Sequence, residues 1–241
     1  MLRKILKWSA LALLLGYLAG GAWLYLVQAR LLYHPEHSHV DVAPADFTLQ
    51  REGVTLRGWV MNPGQARALI YFGGNGDAVQ TMRGDYARMA PDRTVYLPAY
   101  RGYGPSEGSP SEQALFGDAL ALYDQVRGRH STVAVVGRSL GSGIAAYVAS
   151  QRPLDKLVLV TPFDSIAGIA QRRFWLFPVQ WMIRDRYDSF RYAPAVHCPV
   201  LVLVAADDRV VPAASTARLV ALLQPPPRVI TIPGAGHLRE M

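Results

Sequence analysis

The sequence contains a single cysteine, Cys198, among its 241 residues. One cysteine excludes an intramolecular disulfide, so the location of the protein stays open on redox grounds. Because Cys198 precedes an apolar run, it is interpreted as an inert core thiol. The sequence also lacks CxxC and HExxH motifs, and no metal site is predicted on these patterns.

Clusters of basic residues are also missing, although basic residues are in excess. Lysine and arginine total 25 against 18 acidic residues, which gives a formal charge of +7. Such an excess can indicate nucleic acid or an anionic surface. Lysine and arginine never occur more than two in a row, however, and no nucleic-acid module is recognisable. We therefore predict no nucleic-acid partner.

Charge is absent altogether between Trp8 and Val27, a stretch of 20 residues that follows a cationic head. About 20 helical residues span a hydrocarbon core of ~30 Å. We predict that residues 1–27 form a membrane anchor with the N-terminus in the cytoplasm. The rest of the chain then lies outside the cytoplasm, in the periplasm if the source is a bacterium.

A cleaved signal peptide is the alternative for the same segment. Ala19 and Gly21 are small residues that suit a cleavage site, and cleavage would export the protein. The apolar run is long for a signal peptide, which favours the uncleaved anchor.

Residues 28–46 are predicted to form a linker between the anchor and a globular domain at 47–241. The linker is rich in possible metal ligands: His34, Glu36, His37, His39 and Asp41. Their spacing matches no rigid ligand pattern, so a solvated loop is the preferred interpretation and no metal site is predicted.

The pattern that dominates the chain is Gly137-Arg138-Ser139-Leu140-Gly141. It follows an apolar run of β-branched residues and precedes a helix-forming run. A G-x-S-x-G sequence between a strand and a helix is typical of a nucleophile elbow. Such a turn exposes the Ser139 hydroxyl and aims the Leu140 N–H at the same point. An ordinary strand-to-helix loop with an unused serine is the alternative.

A nucleophilic serine needs a base, and the base needs a residue that orients it. Asp208 follows the apolar run at 199–204, and His237 follows the run at 228–232. Both therefore fall at carboxyl ends of predicted strands, where open α/β sheets build their sites. The order serine, acid, histidine predicts the catalytic set Ser139, Asp208 and His237.

Seven motifs in order carry a resemblance to a known family. They are YFGGNGD (71–77), YRGYGPSEGSPSE (100–112), GRSLGSG (137–143), TPFDS (161–165), RDRYDS (184–189), DDRVVP (207–212) and GAGH (234–237). With them the chain resembles α/β-hydrolase-fold serine hydrolases. It is most similar to a small membrane-anchored group with depalmitoylase-like, lysophospholipase-like and serine aminopeptidase-like members.

The resemblance implies an α/β-hydrolase fold, with a mostly parallel sheet of about eight strands and helices on both faces. It implies that the Asn75 N–H is the second oxyanion donor, beside Leu140. It also favours Asp208 as the triad acid, through the Asp-x-x-Val-Pro pattern. Asp164 follows the preceding strand and is the rival acid.

Aromatic and apolar residues among arginines mark residues 164–192 as a short cap over the pocket. Plain packing of surface helices is the alternative for this segment. The residues assigned to the substrate pocket are Gly74, Phe163, Phe174 and Trp175.

Together these patterns predict a membrane-anchored serine hydrolase of carboxylic esters or thioesters with acyl or lipid-like groups. The glycine-rich loop at 73–76 is not followed by Gly-Lys-Ser/Thr, so a P-loop is excluded, and no cofactor is expected. A serine peptidase of the aminopeptidase-like type and a catalytically idle membrane scaffold remain as alternatives.

Overall fold

The computed structural model describes residues 1–40 and 44–237. Asp41, the rest of 41–43 and the segment 238–241 lie outside the described residues, so this part of the predicted linker is not covered. An eight-stranded sheet forms the centre, in the order β1-β2-β4-β3-β5-β6-β7-β8. The strands are β1 (Phe47–Arg51), β2 (Val54–Met61), β3 (Arg67–Phe72), β4 (Thr94–Pro98), β5 (Thr132–Arg138), β6 (Leu157–Val160), β7 (Val200–Ala205) and β8 (Arg228–Ile232).

The sheet begins with an antiparallel hairpin and continues as a parallel sheet. β1 and β2 turn at Glu52 and Gly53, both at positive φ. β2 also pairs antiparallel with β4, and all neighbours from β4 to β8 run parallel. The predicted α/β-hydrolase fold with about eight mostly parallel strands is confirmed.

Helices cover both faces of the central strands, and this explains why those strands are almost continuously apolar. In β5, residues 133 to 137 are all buried. The helices are α1 (Leu2–Tyr33), α2 (Arg83–Met89), α3 (Glu112–Arg127), α4 (Leu140–Gln151), α5 (Ile166–Arg173), α6 (Val179–Met182), α7 (Ser189–Tyr192) and α8 (Ala213–Val220).

The sequence from Asp77 to Met89 suits a helix, but the structure forms an α-helix only in the later part of this segment. A short 3-10 turn spans Val79–Met82 and α2 begins at Arg83. Asp77 stays outside because its carboxylate accepts the N–H of Gly74 at 2.6 Å. The hydrogen bond from a loop N–H to the Asp77 side chain thus competes with helix formation at Asp77.

The N-terminal helix α1 runs past the expected end of the anchor at Val27 and reaches Tyr33. It is the one helix among residues 1–40 and 44–237 that is long and apolar enough to cross a membrane. Its last turn belongs to the globular domain, because Tyr33 is fully buried and its hydroxyl lies 3.0 Å from that of Tyr187. The helix and the domain are therefore directly packed.

The segment predicted as a cap contains the three short helices α5, α6 and α7. It is tied to the body at Glu112, whose N–H donates to Asp185 at 2.9 Å and whose carboxylate accepts the Arg186 N–H at 2.7 Å. Burial raises the pKa of the Glu112 carboxyl above its ordinary value, against the opposing effect of the backbone N–H groups of Arg186 and Tyr187. The base of the cap is thus a half-buried polar contact.

Candidate active site

Ser139 stands at the point where β5 turns into α4, with φ 50° and ψ −118°. This is a strained conformation for a residue with a side chain, and such strain is typical of nucleophile elbows. The flanking glycines are required by close packing. A Cβ at Gly137 would collide with the carbonyl oxygen of Gly141, and one at Gly141 would collide with that of Phe72.

The structure brings together the three residues predicted to be catalytic. The Ser139 Oγ lies 2.8 Å from the Nε2 of His237, and the Nδ1 of His237 lies 2.7 Å from the Oδ2 of Asp208. The side chains of His237 and Asp208 are 5% and 7% exposed. Because water is largely excluded, the hydrogen bonds that orient the imidazole face little competition.

Asp208 is held by the backbone that follows it. Its Oδ1 accepts the N–H groups of Val210 and Val211, both at 2.8 Å, which leaves Oδ2 aimed at His237. The loop that carries His237 is tied to the same strand end, because the Asp207 N–H donates to the Ala235 carbonyl at 2.9 Å. The two loops are thereby fixed relative to each other.

The rival acid Asp164 is engaged elsewhere. Its Oδ1 accepts the Ser215 hydroxyl at 2.5 Å, and its Oδ2 lies 2.5 Å from the Nε of Arg218. These contacts join the loop after β6 to α8. Asp164 is therefore in contact with α8, and Asp208 is the acid that lies beside His237.

Asn75 and Leu140, the predicted oxyanion donors, line the same cavity as Ser139. Leu140 is the first residue of α4, where helix N–H groups lack partners within the helix. Asn75 lies in the loop after β3, and the N–H of the next residue, Gly76, donates to the carbonyl of Tyr33 at 2.9 Å. The end of α1 thus helps to hold the candidate oxyanion loop.

A half-buried ion pair that the sequence patterns do not predict links this loop to the elbow. Asp77 binds Arg138, the residue before Ser139, at 3.1 Å, and also accepts the Gly74 N–H. Burial alone lowers the pKa of the Arg138 guanidinium, but the charge of Asp77 and contacts with Tyr71 outweigh it and raise this pKa above its ordinary value. The signal was an arginine inside the elbow motif and an aspartate closing the GGNGD loop.

Next to Ser139 is a largely apolar cavity of about 260 Å³, between α1, α5 and α6. Phe163 and Phe174, two of the predicted pocket residues, line it. Trp175 instead turns outward and is 77% exposed. Gly74 is buried behind the loop, where its N–H is used by Asp77.

One wall of the cavity comes from the helix that the sequence assigns to the membrane. Its residues on this wall are Leu24, Tyr25, Gln28, Leu31 and Leu32. The sequence patterns do not predict this wall, because they assign Leu24 and Tyr25 to the membrane anchor and the other three residues to a linker. The apolar run Leu31-Leu32-Tyr33 after Arg30 was the available signal that the helix continues.

Three of the histidine-rich linker residues come together at the end of α1. Side-chain ligand atoms of His34, Glu36 and His37 lie within 4.8 Å of one another. The two histidine rings stack at 5.3 Å, and His34 ends the helix at φ 47°. The Nδ1 of His34 lies 3.5 Å from the Oε1 of Glu36.

Comparisons with known proteins concern the family and the fold of the chain. No protein-family model matches the chain. The uncharacterized protein Rv2307c of Mycobacterium tuberculosis is 35% identical over 225 residues, which cover 87% of this chain and 80% of that protein. The lysophosphatidylserine lipase ABHD12 of Danio rerio is 35% identical over 133 residues, 47% of this chain and 35% of its own length.

The fold is also that of solved esterase structures. The Pyrococcus furiosus esterase Pf2001 superposes with a TM-score of 0.68 at 17% identity, covering 83% of this chain and 89% of the esterase. At that identity the likeness concerns the fold. The extended match shows that the chain belongs to the same protein family as Rv2307c, and its fold is the α/β-hydrolase fold with an elbow at the end of β5.

Proposed function

We propose that this protein is a membrane-anchored serine hydrolase that cleaves carboxylic ester or thioester bonds in acyl or lipid-like substrates. The observation that carries the proposal is the chain of contacts from Ser139 through His237 to Asp208, at 2.8 and 2.7 Å, beside an apolar cavity. This is the arrangement that activates a serine hydroxyl for attack on a carbonyl carbon.

The chemistry follows from the atoms in contact. The Nε2 of His237 takes the Ser139 proton as Oγ bonds to the carbonyl carbon, and the imidazolium then returns that proton to the leaving alcohol or thiol. The acyl group remains bonded to the Ser139 Oγ. A water molecule, deprotonated by the Nε2 of His237, then attacks the acyl carbon and releases the acid. Asp208 holds the imidazole in the required tautomer and stabilises its positive form.

The negative charge that develops on the carbonyl oxygen of the substrate needs hydrogen-bond donors near Ser139. In this proposal the backbone N–H groups of Leu140 and Asn75 are these donors. A preorganised oxyanion donor contributes about 2.7–4 kcal/mol to the transition state. The pair Asp77–Arg138 supports the proposal because it fixes the loop of Asn75 to the elbow.

The composition of the cavity supports an acyl chain as the bound group. Leucine, isoleucine, valine, methionine and phenylalanine dominate its wall, which favours burial of a hydrocarbon chain next to Ser139. ABHD12 is a lipase of lysophosphatidylserine, and its similarity to part of this chain agrees with a lipid-like substrate.

We further propose that α1 stays attached as a single-pass anchor, with the N-terminus in the cytoplasm and the hydrolase domain outside it. The ring of Phe177 in the cap stacks on Tyr17 at 5.0 Å and lies against Gly20. Signal-peptide cleavage near Ala19 or Gly21 would remove Tyr17 and expose this ring. The packing therefore supports an uncleaved helix.

A substrate panel tests the hydrolase and separates it from the alternatives. The full-length protein in detergent is assayed with acyl esters, acyl thioesters and aminoacyl anilides, in parallel with Ser139→Ala. Cleavage of the esters and thioesters that disappears in the variant is the expected result. Preferred cleavage of the anilides would establish the peptidase instead, and a folded protein with no activity on any substrate would contradict the proposal and favour the scaffold.

A further inference from the structure

The cap exposes a group of large apolar side chains on its outer surface. Trp175, Leu176 and Trp181 are 77%, 57% and 90% exposed. They lie within a segment of seven residues, in the loop between α5 and α6 and in α6 itself. Several large apolar side chains exposed together are typical of a surface that contacts another apolar phase.

The position of this surface relative to α1 is fixed by direct packing. Phe177, next to Leu176, stacks on Tyr17 at an interplanar angle of 14°. The Cε of Met182, next to Trp181, lies 3.8 Å from the place of a Cβ on Gly21. The exposed residues of the cap therefore flank α1 at the level of Tyr17 to Gly21.

That level lies within the stretch of α1 assigned to the hydrocarbon. At 1.5 Å per residue, Gly21 is about 9 Å and Tyr17 about 15 Å from Val27, the last residue of the uncharged stretch. A cap packed there must lie below the boundary between headgroups and acyl chains. Amphipathic elements at a membrane surface bury about 5–10 Å, which is comparable with the shallower of these depths.

One basic side chain, that of Arg184, lies beside the end of the uncharged stretch of α1, where lipid phosphate groups are expected. The guanidinium of Arg184 lies 4.9 Å from the ring centroid of Tyr25 and donates to the carbonyl of that residue at 3.1 Å. Tyr25 is two residues from Val27, so Arg184 is close to the expected surface of the bilayer. Arginine in that position suits contact with anionic headgroups.

The cavity reaches the same region. Its wall includes Leu24 and Tyr25 of α1 together with Phe174 and Met182 of the cap. The cavity next to Ser139 is thus bounded by residues that flank the exposed apolar surface. The inner wall of the cavity and the exposed apolar surface are therefore formed by neighbouring residues of the same segment.

We propose that the cap inserts into the non-cytoplasmic leaflet of the bilayer, and that the ester substrate reaches Ser139 laterally from that leaflet rather than from water. Trp175, Leu176 and Trp181 contact acyl chains in this arrangement. The inference rests on the proposed membrane anchoring and ester hydrolysis, and it adds a second element that contacts the membrane.

The test of insertion uses a fluorescent label and needs no activity. Full-length Trp181→Cys, in a Cys198→Ala background, is labelled with an environment-sensitive dye and reconstituted in phosphatidylcholine vesicles. Leu176→Cys is a second position in case the first variant fails to fold. Met89→Cys is the matched control, since Met89 is an apolar residue, 75% exposed, at the end of α2.

Labels at 181 and 176 are expected to be quenched by doxyl groups on lipid acyl chains and protected from iodide in water. The label at 89 is expected to show the reverse. Labels at 181 and 176 that iodide quenches as strongly as the label at 89 would overturn the insertion. If no ester is hydrolysed at all, the proposed function fails, while these labels still decide the insertion.

The lateral route is tested by kinetics with Leu176→Ser/Trp181→Ser, two residues outside the cavity wall. The double variant is expected to lose on the order of tenfold in rate on a long-chain ester presented in phosphatidylcholine vesicles. Its rate on a water-soluble short-chain ester is expected to stay unchanged. An equal rate on the vesicle substrate for the variant and the parent would overturn lateral access.

Discussion

The two sides of the cavity are built in different ways. On the elbow side, Ser139, Leu140 and Asn75 stand at ends of parallel strands, and backbone hydrogen bonds and a half-buried ion pair hold them. On the other side, α1 and the cap meet through apolar contacts such as Tyr17 with Phe177. In the proposed function, the sheet side therefore carries the chemistry, and we expect the wall formed by α1 and the cap to select the substrate.

The sharpest test of the elbow side compares two aspartates. Asp208→Asn keeps the shape of the side chain but favours the wrong tautomer of His237, so we expect a loss of about 10⁴-fold in kcat. Asp164→Asn weakens the contacts with Ser215 and Arg218, so we expect a loss of about 1–2 kcal/mol in the free energy of unfolding. Ester kinetics and chemical denaturation measure the two effects. A larger kinetic loss in Asp164→Asn would exchange the assignments.

A smaller loss is expected from the ion pair behind the oxyanion loop. Asp77→Asn removes the charge that holds Arg138 and weakens the acceptor of the Gly74 N–H. We expect a fall of roughly 10–100-fold in kcat with KM almost unchanged, since the affected donor acts in the transition state.

The control for that variant is Asp92→Asn, which breaks the exposed pair between Arg67 and Asp92. Exposed pairs contribute little, so kcat is expected to stay as in the parent. A rise in KM at constant kcat in Asp77→Asn would show that the loop serves binding rather than transition-state stabilisation.

Substitutions at two glycines of α1 test the wall formed by α1 and the cap. A Cβ at Gly20 lies 3.0 Å from the ring of Phe177, whereas at Gly16, apart from its chain neighbours and the backbone of its own helix, no heavy atom of residues 1–40 and 44–237 comes within 4 Å. Gly20→Val is therefore expected to displace the cap and to lower kcat/KM on long-chain esters by roughly tenfold, with short-chain esters less affected.

Gly16→Val carries the same change in helix propensity without the contact and is expected to behave as the parent. The ratio of long-chain to short-chain kcat/KM is the measurement. If this ratio is the same in Gly20→Val and Gly16→Val, the position of the cap does not determine the preference for long-chain esters, and the proposed difference between the two sides of the cavity is wrong.

The smallest effect concerns pH and the junction of cap and body. Since burial raises the pKa of Glu112 in the folded protein, its contribution to stability is present below its ordinary value of 4.5. This contribution is lost as the pH rises through the folded pKa. We expect the free energy of unfolding to fall slightly across this window, and Glu112→Gln to flatten the slope. An unchanged slope in the variant would exclude Glu112 as its source.

The sheet and the catalytic geometry were predictable because their signals are local. The apolar runs at 94–98 and 228–232 coincide with β4 and β8, and the elbow motif is contained in a few residues. Parallel strands of one sheet end at the same edge, so residues that follow β5, β7 and β8 converge once the fold is recognised. The meeting of Ser139, Asp208 and His237 needs little more than that topology.

The wall formed by α1 and the cap was not predictable in the same way. Its contacts join residues about 160 positions apart, such as Tyr17 and Phe177, and hydrophobic periodicity does not identify such partners. The same holds for Trp175, whose apolar side chain suits a pocket and an outer surface equally. Gly74 and Asp77 interact with each other only because the loop after β3 folds back on itself.

The central claim is that Ser139 is an activated nucleophile, and a fluorophosphonate probe measures this directly. Membranes that carry the parent protein, Ser139→Ala and Ser150→Ala are treated in parallel, the last removing a hydroxyl from the same helix α4. Labelling of the parent and of Ser150→Ala, with complete loss in Ser139→Ala, is the predicted result. A folded parent that takes no label, or a Ser139→Ala variant that is labelled like the parent, would contradict the account.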